Sequence, residues 1–209
     1  MVGLHAPLIE RYIMDRNIES YLKVYKVLSE EDCIKTVNAL EEKDKEFQTH
    51  QFYNSSNNTY HSYEHELSVA YSQIETKDLI MKEIWNGLRK YVEELNMKGW
   101  FVSWNGYSEV RFNRYRTDTQ MKLHCDHIHS MFDGNRKGIP TLTILGSLNN
   151  DYKGGELKFW NDKIVELKAG EIMIFPSNFL YYSWVSLRNS FLYLIIVKKT
   201  LSKKITINW

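Results

Sequence analysis

His124 and Asp126 are the two side chains best placed to do chemistry together. They flank Cys125 in a stretch that alternates like a strand, and a spacing of two sets an imidazole and a carboxylate on one face, with Leu123 and Cys125 on the other. Two donors on one face can converge on a single metal ion. Alone, a His-x-Asp triplet is weak, because a polar strand end facing water looks the same. Cys125 lies on the face opposite His124, which disfavours a serine or cysteine hydrolase.

Other chemistries find little support. The 27 Lys and Arg against 26 Asp and Glu leave a net charge of +1, so no bulk attraction to nucleic acid or an anionic membrane is indicated. No glycine loop of the kind that cradles phosphates occurs. Cys33 and Cys125 stand far apart without CxxC spacing, which argues against a disulfide scaffold or structural zinc and fits reduced thiols in a cytoplasm. Glu10, Arg11, Asp15 and Arg16 interrupt the apolar start, and no apolar run reaches membrane-spanning length, so a soluble, cytoplasmic protein is expected.

The elements that must position the pair follow from periodicity. Residues 21–28 alternate as a strand. Ser29 caps a helix through Glu30, Glu31 and Asp32 that runs to about Lys45. Residues 48–63, rich in Asn, Ser and His, read as a loop. Thr76 caps a second helix in which Ile80, Ile84, Leu88, Tyr91 or Val92, and Leu95 recur at helical spacing, ending near Asn96 and Gly99. Short strands follow at 100–104, 107–116, 121–127, 140–148, 155–160, 163–168, 171–175, 179–185 and 188–198. With 209 residues, one domain is expected over 1–209, its helical support at about 18–99 and its strand-rich core at about 100–198. Two helices followed by many short strands make an α+β chain with a sandwich, barrel or jelly-roll core.

Around the metal pair, Gly154-Gly155-Glu156-Leu157 opens a strand, Gly170-Glu171 begins an apolar strand ending in Phe175-Pro176-Ser177, and Arg188-Asn189-Ser190 precedes a β-rich run. In this order the segment 107–197 resembles the catalytic double-stranded β-helix (jelly-roll, cupin-like) of the 2-oxoglutarate- and iron(II)-dependent oxygenases, most closely the prolyl 4-hydroxylase-like branch. It covers nearly half the chain, and the combination of motifs is more specific than any one of them. The resemblance implies a dioxygenase that hydroxylates a proline-like or peptidyl substrate, with Fe(II), 2-oxoglutarate as small-molecule co-substrate and ascorbate as an optional reductant. His124 and Asp126 would be metal ligands. Arg188 and Ser190 would hold the distal carboxylate of 2-oxoglutarate, a guanidinium fork being matched to that group, and Tyr115 would reach it too.

The sequence departs from the family pattern at one position. A second histidine is expected some tens of residues beyond His-x-Asp, and Ser183 stands there; no histidine follows His129. A serine hydroxyl is a poor ligand for iron(II), so one of three protein bonds would be weakened. Three accounts compete. The chain is a catalytically impaired oxygenase-fold binding protein; or His127, His129 or Tyr182 completes the sphere; or the C-terminal sequence, with its basic run at 198–204, is altered relative to its relatives. His127 and His129 otherwise read as solvated loop residues, or as groups that bond to a ligand or to substrate. A scaffold keeping Arg188 as a structural ion, and a cupin-like metal enzyme without 2-oxoglutarate, are the rival classes.

Overall fold

The computed structural model describes residues 18–54, 57, 59–63, 65–97, 106–117, 119–124, 139–159, 163–178, 183–189 and 192–201. In chain order its elements are β1 (Lys23–Lys26), α1 (Glu30–Glu42), β2 (Gln48–Thr49), β3 (Phe52–Asn54), β4 (Thr59–His61), β5 (Ser68–Ala70) and α2 (Lys77–Glu94). Ten further strands follow: β6 (Gly106–Tyr107), β7 (Arg111–Tyr115), β8 (Gln120–His124), β9 (Ile139–Ser147), β10 (Lys153–Gly154), β11 (Leu157–Phe159), β12 (Ile164–Val165), β13 (Glu171–Pro176), β14 (Ser183–Asn189) and β15 (Leu192–Leu201). No described helix is long and apolar enough to cross a membrane.

Both helices form for local reasons. Ser29 is extended and its hydroxyl accepts from the Asp32 backbone N–H at 3.1 Å, satisfying a first-turn donor while Glu30, Glu31 and Asp32 face the positive end of α1. α1 ends at Glu42, and Asp44–Glu46 form a separate 3-10 turn, so the expected helix to Lys45 is shorter. Thr76 precedes α2 but makes no side-chain cap. Its buried hydroxyl lies 2.8 Å from that of Thr36 on α1, and that bond between the helices replaces the cap. α2 buries Ile80, Ile84, Leu88 and Tyr91 as its periodicity predicts, and Gly87 lets it approach the sheet, since a Cβ there would stand 2.7 Å from Ile172 Cδ1.

The strands form two main antiparallel sheets. The larger runs β1-β13-β9-β15-β7-β5-β2 with β6 also on β15; the smaller runs β10-β14-β11-β12 with β8 also on β14. Three strands from the first 70 residues thus complete the larger sheet rather than merely supporting it. Alternation along its central strands buries residues on both faces. Phe112, Ile144, Ile172 and Ile174 join the helices in one apolar cluster. Tyr115, Leu145, Met173 and Phe175 join Met121, Leu157 and Phe159 of the smaller sheet in a second. Phe159 and Phe175 meet edge to face across the two sheets with centroids 5.4 Å apart.

Several strand expectations need correction. The segment 48–63 is not a plain loop: β2 pairs with β5, and β3 with β4 as a hairpin. Phe52 packs against the second cluster and anchors that hairpin, while its Asn- and Ser-rich sequence supplies the connection. The stretch 107–116 divides into β6 and β7, and the expected strand 188–198 breaks, so that Arg188 belongs to β14 and β15 starts at Leu192. The expected strand 100–104 lies outside the described residues.

On the helix side of β7, Arg114 is only 4% exposed. Its Nη1 donates to Asp44 Oδ1 at 2.5 Å and its guanidinium lies 4.0 Å from the Phe47 ring centroid. Arg116 adds a contact to Asp44 at 3.3 Å. The hydrogen bond and charge of Arg114 hold the Asp44 carboxyl below its ordinary value. A depressed carboxyl contributes stability above its unfolded value, about pH 4, and loses it as pH falls through the folded value. Asp44→Asn is therefore expected to flatten the fall in melting temperature measured from roughly pH 5 to pH 2. Parallel wild-type and variant curves would refute this.

Candidate functional site

His124 is the last residue of β8 and is half-buried. Antiparallel pairing sets Ser183, the first residue of β14, directly opposite it. Two residues further along, Val185 pairs with Met121, so three steps on β8 match two on β14. This is a β-bulge, and it brings positions 121 and 124 to the same face, the face from which Met121 enters the second apolar cluster. The bulge thus turns the histidine position toward the space between the sheets.

Tyr115 closes β7, is 1% exposed, and donates its hydroxyl to Met121 Sδ at 3.7 Å. It pairs across strands with Leu192 at the head of β15. Arg188 shares β14 with Ser183 rather than sharing β15 with the residues after it. Asp126, His127, His129, Tyr182 and Ser190 lie outside the described residues. Among the described residues no three His, Cys, Asp or Glu side chains gather to hold a metal ion. The structure therefore brings together the His124 position, Ser183, Met121 and Tyr115.

Two polar residues on the same inner face went unnoticed in the sequence. The unbroken register of β7 with β15 puts Arg111 and Asn113 on the Tyr115 face. Asn113 is 0% exposed, and neither of its amide atoms has a hydrogen-bond partner among the described residues; Arg111 Nε is buried in the same condition. No alternation in the sequence marks them, because β7 is covered on both faces and carries polar residues at both parities. On the other face, burial and a hydrogen bond to Glu41 push the Tyr193 hydroxyl up to about 12. It stays protonated and structural at neutral pH. Burial likewise pushes the Cys33 thiol up to about 11, so it does not act as a nucleophile.

No family model matches the chain, and no curated protein sequence matches it. Solved structures do. A viral collagen prolyl hydroxylase from Paramecium bursaria Chlorella virus-1, in complex with 2-oxoglutarate, is similar at a TM-score of 0.60 and 14% identity over 88% of this chain and 97% of that one. A Trichoplax adhaerens prolyl hydroxylase, in complex with a hypoxia-inducible-factor peptide fragment, is similar at 0.59 and 17% identity, over 86% and 83%. A Pseudomonas putida prolyl 4-hydroxylase is similar at 0.59 and 13% identity, over 87% and 92%. At such identities the likeness concerns the fold, which is prolyl hydroxylase-like.

Proposed function

We propose that the chain is a 2-oxoglutarate- and Fe(II)-dependent dioxygenase that hydroxylates a proline-like or peptidyl substrate, its two sheets forming a jelly-roll barrel around the site. The observation that carries this reading is the fold likeness, which spans 83–97% of three prolyl hydroxylases. The donor chemistry fits a ferrous ion at two of three protein positions. His124 and Asp126 would hold it, while Ser183 offers only a neutral hydroxyl where a stronger donor is required. The bound ion would supply the redox chemistry by which dioxygen converts 2-oxoglutarate to succinate and carbon dioxide and hydroxylates a C–H bond, with ascorbate as reductant.

The chain's own residues do the positioning. Arg188 and Ser190 are assigned to the distal carboxylate of 2-oxoglutarate, with the Tyr115 phenol as a further donor on the inner face. His127 and His129 are assigned to substrate contact or to bonding a metal ligand. The apolar cluster of Met121, Leu157, Phe159 and Phe175 excludes water from the inner end of the site, which strengthens every charge-assisted bond made there. A second reading, an impaired oxygenase-fold binding protein, draws on one observation: the residue opposite His124 is Ser183.

One experiment separates the two. Protein loaded anaerobically with iron(II) and 2-oxoglutarate is exposed to oxygen, and iron stoichiometry and succinate are measured. About one iron per chain, with succinate formed even without a prime substrate, is the expected result for the enzyme. Folded protein that retains no iron and forms no succinate leaves the binding protein.

A further inference from the structure

Arg111, Asn113 and Tyr115 stand in a row on the inner face of β7, the face that carries the second apolar cluster. Asn113 is paired with Leu194 on one side and Val69 on the other, and Arg111 with Ile196, residue types without a side-chain acceptor. Asn113 is wholly buried with both amide atoms unpartnered among the described residues, as is Arg111 Nε. An unpaired buried amide destabilises a fold, and a valine or leucine would suit this position better if packing were all that mattered. Two residues apart on one pleat, the side chains start roughly 6.6 Å from each other, so their N–H groups can close on one small group between them. One donor is charged and the other neutral, and a guanidinium edge with a carboxamide N–H matches a carboxylate.

We propose that Arg111 and Asn113 form a clasp that binds the distal carboxylate of a small dicarboxylate from the β7 side, in addition to the contribution assigned to Arg188. This rests on the reading of the chain as a 2-oxoglutarate-binding protein and adds residues to that site. The clasp requires no metal, so it is tested in metal-free buffer with chelator present. The probes are 2-oxoglutarate, glutarate, which lacks the keto oxygen that an ion would engage, and the monocarboxylate butyrate.

Calorimetry is expected to show wild-type protein binding both dicarboxylates in preference to butyrate. Arg111→Gln and Asn113→Leu should each weaken glutarate by about tenfold or more. Ligand-free Asn113→Leu should melt at or above the wild-type temperature, because a ligand-directed amide contributes nothing to the empty fold. A lower melting temperature would show that the amide is structural and would overturn the clasp. So would wild-type affinity in Arg111→Gln together with loss in Arg188→Gln, an outcome that leaves the 2-oxoglutarate reading standing. Arg111-dependent glutarate binding without succinate formation on iron loading would sustain the clasp and defeat the dioxygenase. Failure of wild-type protein to bind either dicarboxylate without metal defeats the clasp, and the dioxygenase then stands or falls on iron retention and succinate formation alone.

Discussion

Ser183→His is expected to tighten ferrous-ion binding by at least the roughly 10- to 100-fold that groups merely hydrogen-bonded to a metal ligand are worth. Direct opposition in an antiparallel pair sets the Cβ atoms of positions 124 and 183 about 4.5–5.5 Å apart, within reach of one ion for two imidazoles. With Asp126, the variant would present two histidines and a carboxylate on one side of the ion, leaving the other side open. Ser183→Ala should bind as wild type does, because it removes only a weak neutral donor. A double-mutant cycle assigns the gain to the pair of positions. Adding His124→Ala to Ser183→His should erase the gain, measured by anaerobic calorimetry with iron(II) and by the visible spectrum of a cobalt(II) surrogate. Independent effects of the two substitutions on affinity would show that positions 124 and 183 do not share an ion, and the assignment of position 183 as the third-ligand position would fall.

How far the sequence disclosed this arrangement depended on whether the signal was local. The face of α2 was legible because Ile80, Ile84, Leu88 and Tyr91 recur at helical spacing and all four are buried. His124 and Ser183 were legible as types in an order, but their juxtaposition is a matter of strand pairing between residues nearly sixty positions apart. No local pattern encodes that register. The β-bulge between Met121 and His124 was hidden for the same reason, as it exists only relative to β14. Arg111 and Asn113 escaped notice because β7 is covered on both faces, so polar residues fall at both parities and no alternation marks the inner one. Arg114, their neighbour, has a partner in Asp44 seventy residues earlier, whereas Asn113 has none among the described residues; the sequence Phe112-Asn113-Arg114-Tyr115 does not distinguish them.

Such long-range pairing also decides which glycines matter, and Gly170→Ala is expected to cost about 3 kcal/mol. Gly170 has φ +76°, a conformation that disfavours a side chain, and a Cβ there would lie 2.3 Å from the Leu28 carbonyl oxygen. That oxygen belongs to backbone and cannot swing aside as a side-chain tip can. The residue is also a junction: its carbonyl accepts from Val27 N at 2.9 Å and Leu28 N at 3.1 Å, while its N–H donates to Ser147 O at 2.7 Å. Moving it pulls at β1 and β9 and at the turn into β13 together. For a domain of this size each kcal/mol shifts the melting temperature by roughly 2–4 °C, so a fall of about 6–12 °C is expected. Gly87→Ala is the matched control, because its new Cβ would meet chiefly the Cδ1 of Ile172, the far end of a flexible side chain, at an ordinary helical φ. It should cost under about 1 kcal/mol, since a gain in helix propensity offsets the local crowding. Urea denaturation of both variants checks the pair. Equal losses would mean that crowding alone, rather than the left-handed backbone and its three hydrogen bonds, governs Gly170.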